Sequence, residues 1–319
     1  MGEPAILVTG GAGYIGRWLA RELVRRGVRT VALDRQAPDP ASPLPLPGQV
    51  EFVEGDVTDR EVVLAAARRE PFAAMIHLAG IVTMGCERDP DLGMRVNLGG
   101  THNALEAARL AGIPRLVFAS TISVYGPDVP QPIVDDAPAE PLTWYGQSKL
   151  LAETLGLYYQ RRFGLDFRAA RLAAIVGPFR VAASGSATMY TSLILERAAL
   201  GQPYEIDVDE RAATPICYAR DAARALATLA LADTAPRRIY NVGTCRASAV
   251  ELIEIASRRA PDARIAFRPD PAMAAVGRIS WGWELSVEAA ARDLGWRPGY
   301  SLETMADDLM ATARGERSP

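Results

Sequence analysis

The chain has 319 residues, of which 49% are hydrophobic and 23% charged, ordinary values for a globular protein large enough for more than one core. Its formal net charge is −3, and no basic run is long enough to track a phosphate backbone, so nucleic acid and anionic membrane surfaces are excluded as expected partners. No stretch approaches the roughly 20 apolar residues of a membrane helix.

The first element is an apolar strand over 5–9, with no basic leader before it, so no targeting segment is expected. A helical pattern follows over 14–27 and a strand over 28–33. Residues 37–48 carry five prolines and read as a surface loop. Strands at 50–53, 73–77, 115–119 and 167–172 then alternate with helical patterns at 59–69, 98–111 and 144–163. β-Branched runs alternating with helices mark a parallel sheet covered on both faces. The prediction is an α/β fold: a Rossmann-like doubly wound parallel sheet with a smaller mixed α/β C-terminal lobe. Past Pro178 the pattern loosens into helices near 187–200, 219–232, 249–260 and 287–294, with one more strand at 238–242. We assign 1–177 to a dinucleotide-binding domain, to which 214–243 returns, and 178–319 to a substrate lobe. Cys86, Cys217 and Cys245 are scattered without metal-type spacing, which predicts free thiols, no bound metal and a reducing cytoplasm.

The run Thr9-Gly10-Gly11-Ala12-Gly13-Tyr14-Ile15-Gly16 follows a strand and opens a helix. Gly10 permits a sharp turn, Gly13 lets the backbone approach a pyrophosphate, and Gly16 lets helix and strand pack closely. Tyr14 and Ile15 then begin a helix whose free N–H groups and positive dipole end favour phosphate. Asp34 ends the second strand, where a carboxylate accepts both ribose hydroxyls of adenosine and repels a 2′-phosphate. NAD is therefore the expected cofactor, with Arg35 as the counter-signal, since a guanidinium can receive that phosphate.

Tyr145 and Lys149 stand four apart in Trp144-Tyr145-Gly146-Gln147-Ser148-Lys149 and share one face of a helix. A tyrosine of pKa near 10 becomes a useful base only beside a cation, which Lys149 can supply. Upstream, Ser120-Thr121-Ile122-Ser123 leaves a strand end with its hydroxyls exposed, and Asn97 begins a helix between the two halves. Together with Gly55-Asp56-Val57 and His77-Leu78-Ala79-Gly80, these motifs make the chain resemble an extended short-chain dehydrogenase/reductase of the NAD-dependent epimerase/dehydratase family, over 5–300. The resemblance implies that Asp56 and Val57 flank the adenine and that Leu78, Ala79 and Gly80 line the path to the nicotinamide. By the same resemblance Asn97 belongs to the cofactor site, and Lys149 also bonds the nicotinamide ribose. Thr121 matches the catalytic Ser/Thr that bonds the reacting oxygen, with Ser120 and Ser123 close enough to take its place. Tyr145 would accept the substrate hydroxyl proton while hydride leaves the same carbon. Thr121, Ser123, Tyr145 and Ala174 would contact the substrate. The helices at 98–111 and 144–163 resemble those forming a four-helix dimer interface, so a homodimer is expected.

At the substrate end the chain departs from nucleotide-sugar enzymes. Ala174 stands where they often carry an asparagine, and Thr214 where they carry an arginine, so a diphosphate loses charge-assisted contacts. Arg171, Arg180, Arg211 and Arg278 are possible substitutes. Ser120-Thr121-Ile122 and the segment 214–221 are similar to the L-threonine dehydrogenase branch of the superfamily, which implies a small substrate without a nucleotide. Tyr125-Gly126 and Leu294-Gly295-Trp296-Arg297-Pro298 are equally common among sugar-nucleotide epimerases. Three readings follow: a dehydrogenase of a small sugar-like or hydroxy-acid substrate, a UDP-sugar 4-epimerase-like enzyme, and an NAD-binding regulator without catalysis.

Overall fold

The computed structural model describes residues 5–37, 39, 41–180, 186, 188–271, 275 and 277–319. In chain order the first half runs β1 (Ala5–Thr9), α1 (Tyr14–Arg25), β2 (Arg29–Asp34), β3 (Glu51–Glu54), α2 (Arg60–Ala67), β4 (Ala74–His77), α3 (Thr83–Arg88) and α4 (Pro90–Gly93). A π-helical turn, Met94–Gly99, leads into α5 (Gly100–Ala111), followed by β5 (Arg115–Thr121), α6 (Trp144–Phe163) and β6 (Asp166–Leu172). The second half contains β7 (Ala174–Val176), α7 (Tyr190–Ala199), β8 (Tyr204–Ile206), β9 (Ala213–Tyr218), α8 (Ala219–Leu231), β10 (Ile239–Val242), β11 (Cys245–Ser248), α9 (Ala249–Arg259) and β12 (Ile265–Phe267). Helices Glu288–Leu294 and Leu302–Ala313 close the chain.

Seven strands form one parallel sheet in the order β10-β6-β5-β4-β1-β2-β3. All five residues of β1 are buried because the sheet is covered on both sides. Successive side chains point to opposite faces, so Ile6 and Val8 pack with Trp18 and Leu19 of α1 and Leu226 of α8. Ala5 and Leu7 pack on the other side with Val63 of α2, Leu105 of α5 and Ala152 of α6. This is the Rossmann-like doubly wound architecture.

A second sheet, β11-β9-β7, and the pair β12-β8 belong to a separate core built on Ile194, Ile206, Tyr218, Leu252 and Leu309. Of residues 214–243, α8 covers the main sheet and β10 extends it, whereas β9 is the middle strand of the second sheet. The reason is local: β9 is flanked by β7 and β11, and Thr214 pairs in register with Ala247 of β11. The described part of the proline-rich loop is also more anchored than a plain surface loop. Arg17 donates to the Ser42 hydroxyl and the Leu44 carbonyl, and Leu44 is buried against α1.

Candidate active site

A cleft of about 590 Å³ crosses the carboxyl ends of the sheet. Its wall takes Gly10 after β1, Asp34 of β2, Leu78 after β4, Thr121 of β5 and Leu172 of β6, the place where open α/β sheets bind ligands. Gly13, Tyr14, Ile15 and Gly16 line it, as do Arg35, Asp56, Val57, Ala79 and Gly80. Ser123, Tyr145, Lys149 and Ala174 complete the sequence-predicted set on the same wall.

Asn97 is the exception. Its side chain is buried behind the wall, where Oδ1 accepts the Ile81 N–H at 2.7 Å and Nδ2 donates to the Ile81 carbonyl at 3.0 Å. Nδ2 also reaches the Ser148 hydroxyl at 3.0 Å. With its amide so engaged, Asn97 fixes the strand-end loop beside the cleft rather than lining it.

The glycine turn fits a dinucleotide. Gly10 adopts φ +71°, and a Cβ there would come 2.6 Å from the Ala79 nitrogen, closer than side chains approach backbone. A Cβ on Gly16 would strike the Gly10 carbonyl oxygen. α1 has no side-chain N-cap and no acid in its first turn, which leaves its N–H groups available for an anion. The Asp34 carboxylate stays at the cleft end of β2, its Oδ2 accepting the Ala12 N–H at 3.0 Å and its Oδ1 that of Arg35 at 2.8 Å. Arg35 itself is 62% exposed and only 3.9 Å from Asp56, a loose pair. Asp56 secures its turn by accepting from the Thr58 N–H and hydroxyl, each at 2.8 Å.

At the other group, Thr143 caps α6 by accepting the Gly146 N–H at 3.0 Å, and the helix then presents Tyr145 and Lys149 one turn apart. Burial pushes the Tyr145 phenol up to about 12, a rise opposed by a hydrogen bond with Thr121 and increased by Cys86. Burial also pulls the Lys149 ammonium down to about 8, against the raising influence of Cys86 and Glu153. Lys149 Nζ donates to the Ala119 carbonyl at 2.9 Å and lies 5.9 Å from the Tyr145 ring centroid. The expected lowering of the tyrosine pKa by Lys149 is therefore not met in the protein alone: the ammonium is held by a backbone oxygen, and desolvation dominates.

The hydroxyls of the β5 end divide. Ser120 donates to Glu153 at 2.5 Å, whereas Thr121 donates to Ser123 at 3.2 Å and is the hydroxyl that opposes the rise of the Tyr145 phenol. Of the four arginines considered as phosphate contacts, Arg171 is buried in a two-pronged pair with Glu153, at 3.0 and 2.7 Å. Arg211 and Arg278 are exposed beside Asp209 and the Trp281 ring. Arg180 alone of the four lines the cleft. Thr214, Ser186, Thr188, Ser280 and Trp283 also line it. No motif announces the three serines and threonines at 186, 188 and 280, because they reach the cleft through the folding of the second half.

The comparisons with known proteins agree with this geometry. The family model described as "NAD dependent epimerase/dehydratase family" matches residues 6–243. The chain is similar to a D-erythronate dehydrogenase of Cupriavidus necator, 33% identical over 297 residues that cover 89% of this chain and 87% of that protein. It is likewise similar to the mitochondrial L-threonine 3-dehydrogenase of Sus scrofa, 28% identical over 97% of this chain and 82% of the relative. Among solved structures, a GalE-like L-threonine dehydrogenase from Cupriavidus necator in its holo form superposes with a TM-score of 0.86 at 26% identity, covering 97% and 99% of the two chains. The chain belongs to the NAD-dependent epimerase/dehydratase family and is an NAD-dependent oxidoreductase of the extended short-chain dehydrogenase/reductase type, acting on hydroxyl-bearing substrates.

Proposed function

We propose that the chain is a net dehydrogenase of a small hydroxy acid or sugar-like hydroxy compound that carries no nucleotide. The observation that carries this reading is the pair Ala174 and Thr214 on the cleft wall. Neither side chain can form the charge-assisted contacts that a nucleotide diphosphate rewards. Similarity to D-erythronate and L-threonine dehydrogenases supports it.

In this reading Tyr145 Oη takes the proton of the substrate hydroxyl, and the Thr121 hydroxyl holds the reacting oxygen beside it. NAD, when bound, supplies the hydride acceptor and a further positive charge near the phenol. Lys149, with a pKa of about 8, keeps its ammonium at neutral pH and adds its own charge to the site. Gly10, Gly13 and Gly16 make room for the diphosphate, Asp34 and Arg35 meet the adenosine ribose, and Asp56 and Val57 flank the adenine. Leu78, Ala79 and Gly80 line the way to the nicotinamide, while Ser123 and Ala174 border the substrate. Residues 5–173 with 219–243 serve as the coenzyme domain and the remainder as the substrate lobe.

We also propose a homodimer, in the cytoplasm. The π-turn and α5 on one side and α6 on the other bound a groove lined by Met94, Leu98, Leu151, Leu155 and Tyr158, and Met94, Leu151 and Tyr158 are exposed. Three free thiols suit a reducing compartment. Among the described residues no helix is long and apolar enough to cross a membrane.

The test is NAD reduction followed by absorbance with D-erythronate, L-threonine, related sugar acids, and UDP- and dTDP-sugars. Steady NADH production from a small hydroxy compound supports the proposal. Interconversion of a nucleotide sugar without net NADH would establish the epimerase instead. Turnover of none of them, with NAD bound, would favour the non-catalytic reading.

A further inference from the structure

Among the described residues, four cations line the cleft: Arg17, Arg35, Lys149 and Arg180. Three have occupations already. Arg17 is spent on the Ser42 hydroxyl and the Leu44 carbonyl. Arg35 is on the Asp56 side of the glycine turn, and Lys149 is at the catalytic tyrosine. Arg180 is different. Its Nη1 donates to the Ile175 carbonyl at 2.5 Å and its guanidinium stands 5.7 Å over the Tyr14 ring, but it forms no ion pair with any described carboxylate. The carboxylate that acts on it through space is Glu196, whose Oε1 already accepts the Phe179 N–H at 2.9 Å.

The backbone is held under strain to put it there. Phe179 has φ +64°, the single non-glycine residue in the left-handed region among the described residues. Such a conformation persists only when its surroundings enforce it. Here the Tyr14 hydroxyl donates to the Pro178 carbonyl at 2.9 Å on one side, and Glu196 takes the Phe179 N–H on the other. The turn folds Arg180 back over Tyr14, the first residue of α1, and into the wall shared with Ser186 and Thr188. A half-buried guanidinium that gives one hydrogen bond among the described residues, held by a strained turn, is a fork suited to an anionic group.

We infer that Arg180 is the anion-binding residue of the cleft, pairing with either a carboxylate of the substrate or the diphosphate of the coenzyme. The inference rests on the reading of this cleft as the coenzyme and substrate site. If the carboxylate is the partner, it also narrows the substrate class to hydroxy acids.

The experiment compares wild type with Arg180→Met, which keeps the stem over Tyr14 and removes the charge, and with Arg180→Lys, which keeps the charge without the fork. Calorimetry with ADP-ribose reads the diphosphate. Fluorescence of the enzyme–NADH complex titrated with D-erythronate, and with erythritol as its uncharged counterpart, reads the carboxylate. Binding at least tenfold weaker for ADP-ribose in Arg180→Met assigns the residue to the coenzyme. At least tenfold weaker D-erythronate binding with ADP-ribose and erythritol unchanged assigns it to the substrate. Arg180→Lys should fall between wild type and Arg180→Met, and carries the test if a thermal melt shows Arg180→Met unfolded. If both probes bind the variants within twofold of wild type, Arg180 holds no anion and the inference is overturned. If wild type ignores D-erythronate, the hydroxy-acid reading loses its support, and the ADP-ribose result alone decides for or against Arg180.

Discussion

Desolvation acts on both members of the Tyr145–Lys149 pair, and in opposite directions: the phenol rises to about 12 and the ammonium falls to about 8. In the free protein the cation is therefore lost on raising pH long before a phenolate forms. Moving the Lys149 pKa from 10.5 to about 8 costs the folded state on the order of 3 kcal/mol at neutral pH. The sign follows from proton counts. Between about pH 8 and 10.5 the unfolded chain binds a proton at Lys149 that the folded one does not, so stability rises with pH through that window. Lys149→Met should accordingly stabilise the coenzyme-free protein at pH 7 while abolishing turnover, with the gain fading by pH 10.5. Urea denaturation at the two pH values checks this, and a loss of stability at pH 7 would contradict it. Tyr145→Phe keeps the ring and should retain NAD binding while losing roughly 10²–10⁴-fold in turnover, the usual size of general acid–base catalysis. At the other end of the cleft, Asp34→Ala removes the proposed ribose acceptor and leaves exposed Arg35 to receive a 2′-phosphate. Wild type should prefer NAD over NADP about tenfold or more, and the variant should close much of that gap by calorimetry. Equal wild-type affinities would remove Asp34 from the specificity role.

Among the elements, the π-turn Met94–Gly99 shows where a motif reading stops short. Asn97 is visible in the sequence as a polar residue at a helix start, but its spacing cannot say which way the amide points. The extra residue in a π-turn re-aims side chains and is frequent near functional sites. Here the amide turns inward, onto both backbone groups of Ile81, next to the Leu78–Gly80 wall. Asn97→Ala should leave those buried groups unpaired, cost about 1–3 kcal/mol in stability, and raise the Kd for NAD without changing the Tyr145 chemistry. Denaturation together with calorimetry tests it, and an unchanged value in both would make Asn97 a bystander. The elements that sequence patterning reached are those with their own periodicity: α6 spans Trp144–Phe163, as expected, because Thr143 caps it and Gly164 ends it in the left-handed region. Strands β7, β8, β11 and β12 have three or four residues each and escaped it. Such pieces lack a period of their own and exist because distant partners pair with them. The last helix, Leu302–Ala313, also went unread, although Met305, Leu309 and Met310 mark its buried face.

At the scale of the molecule, the parallel sheet and the glycine turn were legible because each rests on contiguous residues, whereas the side-chain ties between elements rest on residues that no motif joins. Glu153 of α6 and Arg171 of β6 form a buried ion pair that no motif discloses. Ser120 donates to the same carboxylate at 2.5 Å, and Arg171 donates to the Tyr125 hydroxyl at 3.0 Å. Tyr125 donates in turn to Asn241 of β10 at 2.7 Å, and the Asn241 N–H is held by Asp135 at 2.6 Å. Tyr125 also meets the Trp283 ring edge-on, which brings the network to the substrate side of the cleft. A buried pair of this kind contributes little over an apolar replacement, yet breaking it leaves a bare charge in a dry interior. Arg171→Met should therefore destabilise the fold by about 3–5 kcal/mol, because the Glu153 carboxylate loses its counter-charge. Adding Glu153→Gln should recover most of that loss, since a neutral amide oxygen can still accept the Ser120 hydroxyl. Urea denaturation of the two single variants and the double variant forms a complete cycle. If the losses of the two single variants add up in the double variant, the coupling is absent and α6 is held on the sheet by packing alone; recovery in the double variant means that the ion pair ties α6 to β6.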